Sequence, residues 1–324
     1  MSFDIMYFGT SHGPEIGVIS SGLPKDEEID LLELQAFLNR RRPGTSDSVS
    51  KRDEADIPIF ESGTKESDKP KTLITDGEEL KVSIKNTDIL KEDYESFKDT
   101  PRPGHADFTA YKKYGDDYDI TGGGQFSGRL TAPMCILGGI CLQILNRQGI
   151  KISSEIKKMG DIESALKDGD SVGGIISCQI HGVPAGVGGP LGDGLESRLA
   201  SALFSIPAVK GLEFGAGFSA ADKKGSEMND EFAIENGEII TKTNNCGGIL
   251  GGISTGMPIT FNVAFKPTPS ISKEQKTVNI KTLEETKISI RGRHDPCVVP
   301  RALPVVEAVA AICITEVLIE ENKL

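Results

Sequence analysis

Four histidines occur in the chain, and each lies in a segment punctuated by Gly or Pro: Gly9-Thr10-Ser11-His12-Gly13, Arg102-Pro103-Gly104-His105-Ala106-Asp107, Ile180-His181-Gly182-Val183-Pro184 and Gly292-Arg293-His294-Asp295-Pro296-Cys297. Such segments form loops, where acid/base side chains are commonly presented, and histidine is the side chain that exchanges protons near neutrality. A loop histidine taken alone is more often just a locally hydrogen-bonded surface group. Three of these four, however, have an arginine or hydroxyl neighbour suited to a phosphorylated ligand.

The cations show the same concentration in turns. Arg40, Arg41 and Arg42 precede Pro43-Gly44; Lys51-Arg52, Arg102, Arg129, Lys266 before Pro267, and Arg291 with Arg293 complete the set. The planar guanidinium fork takes phosphate or carboxylate in a bidentate grip, and glycine-freed amides add donors. At the end of a helix, Arg40 to Arg42 would also complement the helix dipole. Beside five other basic turns in a chain of net charge −12, they point to an anion pocket. The glycine clusters at 122–124, 182–194 and 247–252 match neither the dinucleotide fingerprint nor the phosphate loop that ends in Gly-Lys-Ser/Thr. The residues alone reach an enzyme-like binder of a phosphorylated small molecule and do not name its reaction.

The elements that must position these groups are read from periodicity. The spacing predicts helices over 24–42, 131–147, 194–205 and 301–321, and strands over 3–8, 16–19, 57–60, 80–85, 172–180, 209–218, 259–265 and 286–290. Helices and strands interspersed in this way make an α+β or α/β protein. The polar stretch 61–72 reads as a surface excursion, no fixed-period repeat is found, and the expectation is one domain over 1–324. No apolar run approaches the roughly 20 residues of a membrane span, and no basic segment followed by an apolar one opens the chain, so a cytoplasmic location is expected. Six scattered cysteines with no CxxC pair predict reduced core thiols rather than a disulfide scaffold or a zinc site. The negative charge, the absence of tryptophan and an aromatic content of 6% argue against nucleic acid and anionic membrane as partners.

Several segments in order resemble the chorismate synthase family. They are Gly9 to Gly13; Arg40-Arg41-Arg42-Pro43-Gly44-Thr45-Ser46; Asn86-Thr87-Asp88; Arg102 to Asp107; Gly122 to Arg129; Gly225-Ser226-Glu227; Gly247 to Gly252; Lys266-Pro267-Thr268-Pro269-Ser270; and Arg293 to Cys297. The resemblance implies a β-α-β sandwich, a homotetramer, and an anti-1,4-elimination of phosphate from 5-enolpyruvylshikimate 3-phosphate that requires reduced FMN. It implies that His12 protonates the departing phosphate, that His105 protonates or stabilises the reduced flavin, and that Asp295 assists proton removal, with Ser11 and Ser127 in support. Flavin contacts are implied for Gln125, Phe126, Ser127, Pro207, Ala208, Gly251, Lys266, Pro267, Thr268, Pro269, Ser270 and Arg293. Anion clamps are implied for Arg41, Lys51, Arg52, Arg102, Arg129 and Arg293.

Four positions depart from the family pattern: Thr10 where glutamate is usual, Asp47 where an arginine is frequent, and Gln125-Phe126 in place of Arg-Ser. The long insertion of forms that reduce their own flavin is missing, which implies an external flavin reductase. A non-catalytic flavin- or anion-binding relative would lack the acid/base set, yet His12, His105 and Asp295 all stand in the sequence. A phosphoryl-transfer enzyme would need a nucleotide or metal motif that is not found.

Overall fold

The segment Thr-Ala-Pro-Met-Cys-Ile-Leu-Gly-Gly-Ile-Cys-Leu-Gln-Ile-Leu-Asn-Arg carries apolar or small side chains on every face, the pattern of a helix buried all round. In the computed structural model, which describes residues 3–42, 54–87, 99–115, 118, 121–290 and 295–324, it forms the helix Thr131–Arg147. This helix runs against the second long apolar helix, Val299–Glu320. Their approach depends on Gly138, where a Cβ would fall 2.3 Å from that of Ala308.

Two four-stranded antiparallel sheets enclose the helices. The first has the order Asp4–Gly9, Glu15–Ser21, Leu80–Lys85, Ile59–Ser62, and the second Val209–Phe214, Ile259–Phe265, Gly174–His181, Lys151–Met159. The Thr131–Arg147 helix packs on the first sheet and the Val299–Glu320 helix on the second. Period-2 patterning supplies the inner faces: Ile16 and Val18 on one sheet, and Ile176, Cys178 and Ile180 on the other, are fully buried. One hydrophobic cluster runs through both sheets and the helices between them. The fold is thus the expected α+β arrangement, a β-α-β sandwich.

Most expected elements recur within one or two residues, and the differences have local causes. The helix read over 24–42 is confined to Leu31–Asn39. Asp30 caps it, accepting from the amides of Leu32 and Glu33 at 2.8 and 3.0 Å, while Glu28–Asp30 pairs instead with the strand Thr72–Thr75. The stretch 61–72 is not a plain loop, since Thr64–Glu66 pairs with that same strand to complete a small three-stranded sheet. The strand read over 209–218 stops at Phe214, because Gly215 and Gly217 adopt φ of 53° and 55° and turn the chain. The nine-residue strand Lys151–Met159 and the helix Asp107–Tyr114 were not expected.

A further correction concerns membrane length. Gly128–Arg147 and Val299–Glu320, at 20 and 22 residues, are long and apolar enough to span a bilayer by composition alone, but 83% of each apolar window is covered by the protein itself. Five of the six cysteines are buried, as expected, and Cys246 is half-buried.

Candidate functional site

The turns that carry His12, Arg41, Arg102 with His105, Arg129, Lys266 and Asp295 meet around one cavity of about 610 Å³, a volume typical of small-molecule sites, while His181 is outside its lining. His12 reaches it from the turn after the first strand. Asn86 holds that turn from below, donating through Nδ2 to the carbonyls of Thr10 and Gly13 at 3.1 and 2.8 Å. Ser11, fully buried, places its Oγ 3.0 Å from His12 Nδ1 and so orients the ring. Ser127 lines the cavity as well; its Oγ accepts from the Arg129 amide at 3.3 Å and caps the short turn Gly128–Leu130.

His105 enters from the turn ahead of the Asp107–Tyr114 helix. Its Nδ1 lies 2.5 Å from Asp107 Oδ1. Arg102 grips the same carboxylate twice, Nε to Oδ2 and Nη2 to Oδ1, both at 2.7 Å, and adds its own backbone N–H to Oδ2 at 2.9 Å. Burial works to raise the Asp107 carboxyl, but the bonds from Arg102 and His105 outweigh it and hold the group well below the usual carboxylate range. Gly123 lets the Thr121–Phe126 turn close over the imidazole, for a Cβ there would sit 3.3 Å from Nε2.

The innermost group is ionic and almost dry. Arg41 and Arg129, 3% and 7% exposed, both bond to the carboxylate of Asp56; Glu54 lies 3.1 Å from Arg129, whose Nε also donates to Asn86 at 3.1 Å. Burial alone would raise the Asp56 carboxyl; the charges of Arg41 and Arg129 prevail and keep it below its ordinary value. Even so, Arg129 Nη2 and Arg41 Nε are buried with no hydrogen-bond partner. Donors left in that state are costly. Arg301 joins this group, donating from Nε to the Arg41 carbonyl at 2.9 Å and from Nη1 to Asp295, which also lines the cavity.

The opposite wall comes from the segment before Val209–Phe214 and the one after Ile259–Phe265. Ala208 holds φ at 74°, a left-handed conformation that costs an alanine energy and is characteristic of functional loops. Its carbonyl accepts from the Lys266 amide at 2.9 Å, which ties the two segments together. Pro207, Ala208, Lys266, Thr268, Pro269 and Ser270 all line the cavity, with Gln125 and Phe126 facing them. Burial, and then the nearby charge of Lys210, lower the Lys266 ammonium below its ordinary value. Neither lysine has a carboxylate partner among the described residues.

Of the expected site residues, therefore, His12, His105, Asp295, Ser127, Gln125, Phe126, Pro207, Ala208, Lys266, Thr268, Pro269, Ser270, Arg41, Arg102 and Arg129 share one cavity. Ser11 stands behind His12 rather than on the lining. Pro267 is exposed and outside the lining, and Gly251 sits in the turn of the hairpin formed by Ile249–Leu250 and Ile253–Ser254, also outside it. Lys51, Arg52 and Arg293, with Asp47, Asp88 and His294, lie outside the described residues. Unforeseen were Glu54, Asp56, Asn86, Asp107, Lys210 and Arg301. Asp107 stood two residues from a flagged histidine and Arg301 six from a flagged aspartate, which was a usable signal; nothing local marks Asp56.

Comparison with known proteins agrees over nearly the whole chain. A family profile described as chorismate synthase matches residues 3–165 and 160–319. The chorismate synthase of Pyrococcus abyssi is 44% identical, with 95% of this chain and 94% of that protein aligned. Those of Thermococcus gammatolerans and Methanosarcina barkeri are 42% and 43% identical, each over 97% of this chain and over 95% and 93% of their own lengths. A solved structure described as the crystal structure of chorismate synthase superposes with a TM-score of 0.75 at 25% identity, covering 99% of this chain and 93% of its own.

Proposed function

The chain belongs to the chorismate synthase family of lyases, and on that footing we propose that it eliminates phosphate from 5-enolpyruvylshikimate 3-phosphate to give chorismate, with reduced FMN as cofactor. In this 1,4-elimination the C–O bond to phosphate breaks with its electron pair, a ring hydrogen leaves as a proton from the opposite face, and the remaining electrons become the second ring double bond. Reduced FMN, when bound, supplies electron density that is lent and recovered, so the overall change is redox-neutral.

The observation that carries the reading is the convergence, from four segments, of His12, His105, Ser127 and Asp295 on a cavity that Arg41, Arg129 and Arg301 also line. The guanidinium groups of Arg41, Arg129 and Arg301 on the lining suit the phosphate and carboxylates of such a substrate, where preformed donors favour the developing anion. The walls at Phe126, Pro207, Pro269, Val298 and Ala302 fit a flat ring system, and Lys210 and Lys266 can meet a cofactor phosphate. His12, oriented by Ser11, donates a proton to the leaving phosphate. Asp295, steered by Arg301, assists removal of the ring proton, and His105 holds or moves a proton beside the cofactor.

The same reading makes the enzyme a cytoplasmic homotetramer that receives reduced flavin from a separate reductase. Assembly is supported by the hairpin of Phe232–Glu235 and Glu238–Thr241. There Phe232, Ile234 and Ile239 share one face and are 66%, 79% and 72% exposed, an unusual loss unless another surface covers them. The test is steady-state turnover of His12→Ala and His105→Ala. Each is expected to lose about 10²–10⁴-fold in kcat, the usual worth of a positioned acid or base; near-normal turnover in both contradicts the assignment.

A further inference from the structure

Arg102 lines the cavity, yet most of its donors are committed to protein partners. Nε, Nη2 and the backbone N–H all go to Asp107, and Nη1 lies 3.3 Å from Ser270 Oγ. Asp107 in turn is 8% exposed at its side chain and ionised, so both its oxygens can only accept. Since Asp107 Oδ1 lies 2.5 Å from His105 Nδ1, that ring nitrogen must be the donor. Arg102 Nη2 is 3.1 Å from the same Nδ1 but finds no lone pair there, and its proton goes to Asp107 Oδ1 instead. The remaining proton-exchanging atom of the imidazole is Nε2, which lies under the glycine turn at Gly123 and 3.4 Å from Arg102 Nη2.

We propose that Asp107 is a positioning residue that fixes His105 in the Nδ1–H tautomer and leaves Nε2 as the ring's one proton-accepting atom, and that Arg102 serves as the buttress of Asp107 rather than as an anion clamp. The functional consequence rests on the elimination assigned above; the tautomer itself does not. Holding the ring by a carboxylate behind it is a general way to give a histidine one defined proton-transfer atom. With Arg102 committed to this task, substrate binding falls to the other arginines of the lining, Arg41 and Arg129 among them.

The test combines spectroscopy with kinetics on the full chain. In protein labelled with ¹⁵N in its four histidines, the His105 ring signals are identified by their loss in His105→Gln and read at a pH above which they no longer change. Wild type is expected to show a protonated Nδ1 and an unprotonated Nε2. Asp107→Ala is expected to lose that preference, and Asp107→Glu to restore part of it. In turnover, Asp107→Ala and Arg102→Gln should both lower kcat about 10–100-fold, the order of effect of removing an orienting partner, with KM for 5-enolpyruvylshikimate 3-phosphate within about twofold of wild type. A wild-type ring protonated at Nε2 overturns the proposal whether or not the variants fold, and a large KM increase in Arg102→Gln restores Arg102 to the clamps. Failure of wild type to form chorismate while the Nδ1–H tautomer is observed would instead overturn the functional reading and leave the role of Asp107 on the ring intact.

Discussion

Asp56 receives two buried guanidinium groups, and its carboxyl is held below its ordinary value although burial opposes ionisation. A group that binds its proton less readily when folded than when unfolded favours the folded state above its unfolded value of about 3.9, and this contribution fades as the pH falls toward the depressed folded value. Asp56→Asn is therefore expected to lower Tm at pH 7, with the gap to wild type narrowing on acidification to about pH 3. A gap independent of pH would contradict the pairing. Residues of this kind were the least legible in the sequence. His12, His105, Arg41, Arg102, Arg129 and Lys266 could be found from the sequence because loop chemistry is written locally, in Gly, Pro and the charged neighbour. Their counter-charges come from distant positions and are chosen by the fold, so Asp56, which serves Arg41 and Arg129 across gaps of 15 and 73 residues, has no local signature.

Glu307 shows how an element carries such a residue. It sits 4% exposed inside the Val299–Glu320 helix, accepts both arms of Arg40 at 2.6 and 2.9 Å, and takes the backbone N–H and Oγ of Ser154 at 3.1 and 2.7 Å. It thereby joins the end of the Leu31–Asn39 helix to the edge strand Lys151–Met159, and Arg40, adjacent to Arg41, is kept outside the cavity. Glu307→Ala is expected to reduce stability by about 1.5–3 kcal/mol, the worth of charge-assisted hydrogen bonds, measured by urea unfolding; unchanged stability would mean the link is idle. The two long helices and seven of the eight strands in the two four-stranded sheets were legible because their apolar periodicity is unbroken. Lys151–Met159 escaped because alternation there is half polar, Lys-Ile-Ser-Ser-Glu-Ile-Lys-Lys-Met, as befits an edge strand with one solvated face. The over-long helix at 24–42 reflects acidic residues that read as a first turn but are claimed by strand pairing, a choice only the tertiary structure makes.

At the scale of the whole molecule, we propose that the chain folds as one domain, because a single hydrophobic cluster joins both sheets through the helices. Thermal unfolding is expected to show one transition, moving upward with protein concentration if the exposed Phe232–Thr241 hairpin is buried in a tetramer; two separate transitions would contradict a single domain. The acidic field of a chain with net charge −12 makes the local arginine floor and the two lysines decisive for an anionic substrate. The most direct measurement is anaerobic turnover of 5-enolpyruvylshikimate 3-phosphate, following phosphate release and chorismate absorbance with dithionite-reduced FMN and, separately, with oxidised FMN plus NADPH. Chorismate and phosphate in equal amounts with pre-reduced flavin alone is the predicted result; no product from folded, flavin-binding protein under either condition would contradict it.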